Sequence, residues 1–174
     1  MDFKRLIRDV PDFPQDGILF RDITPLLAAP AAFEAALEAL QVAAVGLGVT
    51  AIVAIESRGF LFGAPLASRM KLPLVLVRKP GKLPAKRMSV EYSLEYGQSQ
   101  LDIHEDALGE GDRAFIVDDV LATSGTARAT AKLVELLGAT VAGFGFLIEL
   151  EALGGRLALG DYNITSVVHY GAAE

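Results

Sequence analysis

FIVDDVLATSGTA, residues 115–127, is the stretch of sequence that decides the expected fold. Its apolar start, residues 115–117, predicts a buried strand that ends in two adjacent carboxylates, Asp118 and Asp119. A small, hydroxyl-rich segment follows, and residues 127–137 then repeat apolar side chains at helical spacing. The stretch therefore predicts a strand, an acidic turn, a tight loop and a helix, in that order.

The loop at residues 122–126 has the composition of a phosphate-binding loop. Its small residues let the backbone approach an anion closely, its hydroxyl groups can donate, and the following helix directs the positive end of its dipole there. Because Asp118 and Asp119 would repel phosphate, they suit sugar hydroxyls or a bridging cation instead. Phosphate, hydroxyl groups and Mg²⁺ on one ligand indicate a phosphorylated sugar.

Length and composition predict a single domain over residues 1–174. The chain is long enough to bury a sizeable core, and no linker or charge block divides it. Hydrophobic residues make up 52% of the sequence, which raises the question of a membrane segment. The uncharged stretch at residues 42–55 is shorter than the roughly 20 residues that a membrane-spanning helix needs. We therefore expect no membrane partner.

Cysteine content and net charge argue against several kinds of functional site. The sequence has no cysteine, which excludes disulfides and a thiolate nucleophile, and its two histidines argue against a structural zinc site. The net charge of -6 argues against a dedicated nucleic-acid surface. Charged side chains interrupt residues 1–13, where a signal peptide would need an apolar region, so we expect a cytoplasmic protein.

Strands alternate with helices over residues 49–150, which predicts an α/β fold with an open, mostly parallel sheet flanked by helices. The apolar run at residues 49–55 is typical of a strand buried on both faces, and it ends in the turn Glu-Ser-Arg-Gly at 56–59. Ligands of such folds bind beyond the carboxyl ends of the strands, so this turn and the loop at 122–126 can face one elongated substrate. A hydrolase-type nucleophile at Ser57 is excluded, because no glycine lies two residues before it.

The segment 78–99 is predicted to be an exposed, flexible loop, since it is polar and rich in proline and glycine. Its cluster of Lys and Arg suits a lid that closes over a polyanionic substrate and excludes water. Gly81 and Lys82 do not form a P-loop, because Leu83 stands where Ser or Thr is required.

Four further motifs sharpen these expectations: LFRDITPLL at 19–27, ESRGFLFGAPLA at 56–67, VRKPGKLPAK at 77–86 and YSLEYGQSQLDIHEDAL at 92–108. Together with the central stretch, they resemble the adenine phosphoribosyltransferases, which are type I phosphoribosyltransferases, over nearly the whole chain. The resemblance implies the fold of that family, with a lid at 78–99 and a small base-binding hood formed by the arm at 1–30. One departure is Ser124, where the family usually has glycine.

The resemblance also implies roles for the residues that bind 5-phosphoribosyl-1-pyrophosphate (PRPP). Asp118 and Asp119 are expected to bind the ribose hydroxyls, and Glu95 to handle the purine proton. The 5′-phosphate is expected on Ala122, Thr123, Ser124, Gly125 and Thr126. The pyrophosphate is expected on Ser57, Arg58, Lys79 and Tyr96, with Lys79 able to act in the neighbouring subunit and a strained peptide between Ser57 and Arg58. Composition alone favours Arg58 as a solvated charge at a loop end.

The adenine site implied by the resemblance consists of Leu19, Phe20, Arg21 and Leu150. The ring of Phe20 would stack on the purine, with Leu150 on the opposite face, while the backbone of Leu19 and Arg21 reads the edge of the base. Composition alone favours Phe20 and Leu150 as ordinary core residues.

The implied reaction transfers the phosphoribosyl group of PRPP to adenine, giving AMP and pyrophosphate, in a homodimer. Mg²⁺ is the expected cofactor, held mainly by PRPP and water near Asp118 and Asp119 without a direct protein ligand. Two alternatives stay open. One is a regulatory protein that senses PRPP without turning it over, and the other is a related enzyme that uses hypoxanthine, guanine or xanthine.

Overall fold

The computed structural model describes residues 1–93 and 98–172, and the chain forms two compact units, Met1–Ala39 and Leu40–Glu174. Glu95 and Tyr96, both given roles above, lie outside the described residues. Within the described ranges, no helix has the length and apolar character that crossing a membrane requires.

The first unit is built from short elements. They are a 3₁₀ helix at Phe3–Leu6, strands β1 at Arg8–Val10 and β2 at Phe20–Asp22, helix α1 at Thr24–Leu27, and the start of helix α2 at Pro30–Ala44. Strands β1 and β2 pair antiparallel, with Val10 opposite Phe20. The Asp22 carboxylate accepts hydrogen bonds from the N–H and the hydroxyl of Thr24, at 2.9 and 2.8 Å, and so stabilises the turn that leads into α1.

The second unit contains the main sheet. Its elements are β3 at Ala51–Ile55, α3 at Gly59–Met70, β4 at Leu74–Val77, β5 at Arg87–Ser93, β6 at Gln98–His104, β7 at Arg113–Leu121, α4 at Gly125–Leu136, β8 at Thr140–Leu150, a 3₁₀ helix at Glu151–Leu153, α5 at Gly155–Leu159 and β9 at Ile164–Tyr170. Five strands pair in the order β4-β3-β7-β8-β9, all parallel. The predicted open, parallel α/β sheet is confirmed.

The centre of the sheet is packed closely enough to require glycine at one position. All five residues of β3 are buried, as expected for a strand covered on both faces. On β8, a Cβ at Gly145 would lie 2.8 Å from the Phe115 ring and 2.9 Å from the Leu40 side chain. Only a residue without a side chain lets α2 and β7 approach β8 this closely.

Strand β7 is longer than the sequence predicted. The acidic turn was expected at Asp118 and Asp119, but both residues lie inside the strand, which ends at Leu121. The reason is the pairing with β8, which matches Asp118 with Phe146 and Leu121 with Glu149. Ladder hydrogen bonds from a neighbouring strand extend β7 through two residues that rarely favour a strand by themselves.

The segment 78–99 is not a loop throughout, which corrects the sequence prediction. Its residues 87–93 form β5, which pairs antiparallel with β6. Met88, Val90 and Tyr92 alternate with polar neighbours, and all three pack against the hydrophobic core. The alternation of apolar and polar residues was not recognised as a strand, because the rest of the segment is rich in charged residues and proline.

Candidate active site

The structure brings the two predicted anion-binding turns together at the carboxyl edge of the sheet. Strands β3 and β7 are neighbours, so the turn after β3 lies beside the acids of β7. The Arg58 Nε atom lies 2.9 Å from Asp119 Oδ2, and the side chain of Asp119 is only 4% exposed while that of Arg58 is 39% exposed. Arg58 therefore neutralises a buried acid while part of its side chain stays exposed to solvent.

Gly59 makes this contact possible, because α3 begins almost on the backbone of β7. A Cβ at Gly59 would lie 2.6 Å from the Val117 carbonyl oxygen and 3.2 Å from both Cα and Oδ1 of Asp118. Such distances are shorter than real side chains tolerate. A glycine after Arg58 is therefore needed to seat the turn against the two acids.

Glu56 ties the same turn to the end of β4. Its Oε2 atom accepts hydrogen bonds from Arg78 Nε at 3.1 Å and from the Lys79 N–H at 2.9 Å. Burial alone would raise the pKa of Glu56, but the Lys79 N–H and the Arg78 guanidinium outweigh it and lower the pKa. The peptide bond between Glu56 and Ser57 is cis. It lies one residue before the peptide between Ser57 and Arg58, which the resemblance implied to be strained.

The two acids of β7 have different environments. Burial, followed by the negative charge of Asp119, raises the pKa of Asp118 well above its usual value. Burial also raises the pKa of Asp119, although the Arg58 guanidinium opposes that rise. The backbone N–H of Asp119 donates to Asp118 Oδ1 at 2.9 Å, which fixes the Asp118 carboxylate beside the turn. Asp118 therefore carries a charge that the free protein stabilises poorly and that a ligand can stabilise.

The predicted phosphate loop forms a small cavity of ≈ 60 Å³. Asp118 and Phe146 line it together with residues 120–127. This volume exceeds the ~10–15 Å³ that one water molecule needs, and it suits one small anion. Helix α4 begins at Gly125 without a side-chain cap, so its first N–H groups remain available to an anion.

Ser124 adopts the left-handed backbone conformation that glycine favours, with a φ of 73°. Ser124 therefore adopts a backbone conformation that is also open to glycine. The Ser124 hydroxyl is buried and, within the described part of the chain, has no hydrogen-bond partner. Because Ser124 lines the cavity, an anion bound there would supply the missing partner.

We expect Ser124→Gly to stabilise the free protein by about 1 kcal/mol and to weaken phosphate binding. The left-handed conformation costs a side-chain-bearing residue roughly 1–2 kcal/mol, and the greater freedom of unfolded glycine offsets part of this gain. Thermal unfolding and calorimetric titration with ribose 5-phosphate test both expectations. A lower melting temperature would contradict the strain argument, and an unchanged Kd would exclude the hydroxyl as a phosphate donor.

The predicted base-site residues of the first unit lie at the start of β2, with Phe20 and Arg21 inside the strand and Leu19 directly before it. Phe20 is half-buried, and its ring packs edge-on against Phe13 with 5.1 Å between centroids. Arg21 is buried and donates a hydrogen bond to the Asp9 carboxylate, while Leu19 is 42% exposed. A buried Arg21 side chain fits the expectation that this residue acts through its backbone.

The remaining predicted residues lie in the second unit. Leu150 is half-buried at the end of β8, and Lys79 is exposed just after β4. The assignment of both to substrate stays a prediction.

The carboxylate oxygens near the cavity could supply some of the ligands of Mg²⁺, but not a complete set. Among residues 1–93 and 98–172, no three His, Cys, Asp or Glu side chains form a group that could hold a metal ion. Asp118 and Asp119 offer oxygen donors of the kind that Mg²⁺ prefers, but Asp119 Oδ2 already faces Arg58. A magnesium ion here would need most of its ligands from the substrate and from water.

A larger cavity of ≈ 820 Å³ lies beside the phosphate loop, between β5, α4 and α5. Among the described residues, Gly125 is the only predicted site residue in its lining, which also includes Arg128, Lys132 and Glu135. Glu135 accepts a hydrogen bond from the Tyr162 hydroxyl at 2.6 Å, and this bond raises the pKa of Tyr162 to about 12. The chemistry predicted from the sequence therefore lies at the smaller cavity, at the edge of the sheet.

Glu56 and Gly59 shape the site, but no individual role was predicted for either residue. Both belong to the turn after β3. A charged residue directly after a buried strand must find a partner, so Glu56 could have been recognised as a structural anchor. The need for glycine at 59 depends on the distance between α3 and β7, which no sequence pattern shows.

Comparison with known proteins shows what the chain is similar to. A family model for the phosphoribosyl transferase domain matches residues 27–169. The adenine phosphoribosyltransferase of a Synechococcus species is 55% identical over 170 residues, covering 98% of this chain and 99% of the relative.

Solved structures agree with this similarity. The crystal structure of adenine phosphoribosyltransferase from Thermoanaerobacter pseudethanolicus matches with a TM-score of 0.94 and 53% identity, over 97% of this chain and 98% of that one. The enzyme from Saccharomyces cerevisiae, in complex with an imino-altritol bisphosphate and adenine, matches with a TM-score of 0.89 and 36% identity, over 95% and 96% of the two chains. The similarity in sequence and in fold extends over nearly the whole chain.

Proposed function

This chain belongs to the adenine phosphoribosyltransferase family, and we propose that it transfers the phosphoribosyl group of PRPP to adenine, giving AMP and pyrophosphate. The observation that carries the proposal is the contact between Arg58 and Asp119. It joins an anion-binding turn to a pair of acids that lies directly before a phosphate-sized cavity. An elongated ligand with a ribose between a phosphate and a pyrophosphate matches this order of charges.

In this proposal the loop at residues 122–126 binds the 5′-phosphate. The uncapped start of α4 and the unpartnered hydroxyl of Ser124 supply donors. Asp118 and Asp119 accept hydrogen bonds from the ribose hydroxyls, which places the sugar between the loop and Arg58.

The reaction breaks the bond between C1′ of ribose and a pyrophosphate oxygen, and it forms a bond between C1′ and N9 of adenine. Positive charge develops on the ribose as pyrophosphate leaves, and in this proposal the carboxylates of Asp118 and Asp119 stabilise it. The partly exposed side chain of Arg58 and the ammonium of Lys79 bind the leaving pyrophosphate. Glu95 is our candidate for accepting the purine proton, together with Tyr96 over the reacting groups.

Mg²⁺ is part of the proposal. Bound to PRPP, it would neutralise phosphate charge and stabilise the departing pyrophosphate. The half-buried carboxylate of Asp118 and the paired carboxylate of Asp119 suit contact with its water ligands rather than a complete protein cage.

We assign adenine to Leu19, Phe20, Arg21 and Leu150. Phe20 offers a half-buried aromatic face, and the buried side chain of Arg21 leaves its backbone as the group that reads the base. The Saccharomyces cerevisiae relative, whose crystals contain adenine, supports adenine over other purines.

A homodimer, in which Lys79 reaches the neighbouring site, completes the proposal. The exposed position of Lys79 after β4 is compatible with such a reach. A cytoplasmic location and a lid formed by residues 78–99 rest on the sequence alone. Sedimentation of the purified chain measures the oligomeric state directly.

The experiment that tests the proposal measures AMP and pyrophosphate after incubation with PRPP, Mg²⁺ and one purine base at a time. We expect product from adenine and loss of product when Mg²⁺ is chelated. Product from hypoxanthine, guanine or xanthine instead would refute the base assignment. PRPP binding by calorimetry without turnover of any base would refute the enzyme and favour a PRPP sensor.

A further inference from the structure

Helix α5 begins against the backbone of the phosphate loop. Gly155, its first residue, is buried, and a Cβ there would lie 2.2 Å from the carbonyl oxygen of Ala122 and 2.9 Å from the Leu121 side chain. These distances leave no room for any side chain. Gly155 therefore lets the backbone of α5 support the first residue of the loop directly.

Arg156, the next residue, fixes α5 to two strands of the sheet. Its Nε and Nη2 atoms donate to the two carboxylate oxygens of Glu149 at 2.8 and 2.6 Å, and its Nη1 atom donates to the carbonyl of Ile164 at 3.0 Å. Glu149 is buried, with 3% of its surface exposed. A two-bond contact between a planar guanidinium and a buried carboxylate is rigid as well as strong.

The ion pair links Leu150, one residue of the proposed base subsite, to the proposed phosphate loop. Glu149 directly precedes Leu150, the residue assigned to the base, and it pairs across the sheet with Leu121, which directly precedes the phosphate loop. On the other side, Arg156 directly follows Gly155, which contacts Ala122. One charge pair therefore connects the end of β8 with the support of the loop.

We infer that Glu149 and Arg156 are positioning residues that set the distance between the base subsite and the 5′-phosphate subsite. The inference rests on the proposed function, because that function supplies both subsites. AMP spans the two subsites, whereas ribose 5-phosphate occupies only the loop side. Loss of the ion pair should therefore weaken AMP binding far more than ribose 5-phosphate binding.

The test compares Arg156→Met with Arg113→Met, a matched control. Arg113 also clamps backbone through its guanidinium, donating to the Leu47 carbonyl at 3.1 and 2.9 Å, but it lies at the opposite end of β7. For Arg156→Met we expect AMP affinity to fall roughly 10- to 100-fold, the scale of a misplaced substrate group. Ribose 5-phosphate affinity should fall less than about threefold, and both affinities should stay unchanged in Arg113→Met.

Calorimetric titrations well below the melting temperature of each variant give these affinities. Arg156→Lys, which keeps the charge but not the two-bond contact, should lie between wild type and Arg156→Met. Equal losses for AMP and ribose 5-phosphate would overturn the inference, since Arg156 would then support only the loop. A lower melting temperature with both affinities unchanged would also overturn it. Wild-type protein that binds neither ligand would instead refute the proposed function.

Discussion

Asp118→Asn is expected to raise the melting temperature of the free protein while it removes most of the activity. The Asp118 carboxyl is held beside Asp119 in a site where burial and that neighbouring charge raise its pKa. Removing the charge relieves this cost, on the order of 1 kcal/mol, or roughly 2–4 °C for a chain of this length. The same change removes a group that stabilises positive charge on the ribose, so kcat should fall roughly 10²- to 10³-fold.

The pH dependence of this stabilisation has a defined sign. Because the folded-state pKa of Asp118 lies above its unfolded value, the ionised carboxylate costs stability as pH rises through the folded pKa. Near the ordinary pKa of aspartate and below it, the cost disappears. Differential scanning calorimetry should therefore find the largest difference between Asp118→Asn and wild type near neutral pH. A difference that grows as pH falls would contradict the assignment.

Asp119→Asn is the matched control, since it removes the neighbouring acid instead. Asp119 is paired with Arg58, so its charge is compensated in the folded state. Because Arg58 opposes the rise of the Asp119 pKa, we expect less stabilisation from Asp119→Asn than from Asp118→Asn, together with a loss of activity. Equal stabilisation by the two asparagine variants would show that the two carboxylates are not distinguished by Arg58.

Arg58→Ala is expected to lose both stability and catalysis. It leaves the Asp119 carboxylate, only 4% exposed, without its cation. Breaking a fully buried pair costs roughly 3–5 kcal/mol, and the partial exposure of Arg58 reduces our expectation to about 1–3 kcal/mol. Catalysis should fall at least roughly 10²-fold, because the leaving pyrophosphate also loses its guanidinium.

A double variant separates these two effects of Arg58. Arg58→Ala combined with Asp119→Asn removes both charges, so thermal unfolding should recover most of the lost stability, while turnover of PRPP should stay low. Arg58→Lys keeps a cation without the planar fork and should recover stability better than turnover. A double variant no more stable than Arg58→Ala would show that the pair does not account for the loss.

Much of the sheet was predictable because continuous apolar runs in the sequence indicate its buried strands. The apolar run before Glu56 and the one before Asp118 could hardly be anything except covered strands, and each ends where a parallel sheet places its ligands. The helix after residue 124 followed from its spacing. The extent of β7 did not, since pairing with β8, a long-range interaction, carries the strand through both acids.

The sequence predicted which residue types form the site, but it did not predict the contacts between them. The composition of the loop at 122–126 predicted that it binds an anion. The structure adds the left-handed backbone of Ser124 and its buried hydroxyl, which has no hydrogen-bond partner among the described residues. The contact between Arg58 and Asp119 depends on two strands far apart in sequence becoming neighbours. The roles of Phe20 and Leu150 depended on the family resemblance, because an apolar side chain looks the same in a core and in a base pocket.

The order of strands in the sheet has a consequence for the chain while it is being synthesised. Strand β3 meets β4 early, but its other neighbour is β7, and Thr50 and Arg113, which join the two by a hydrogen bond, are 63 positions apart. Closing so long a loop is slow, and until it closes the apolar edge of β3 is open to pairing with other chains. The strand that carries the two acids therefore also protects the nascent protein from aggregation.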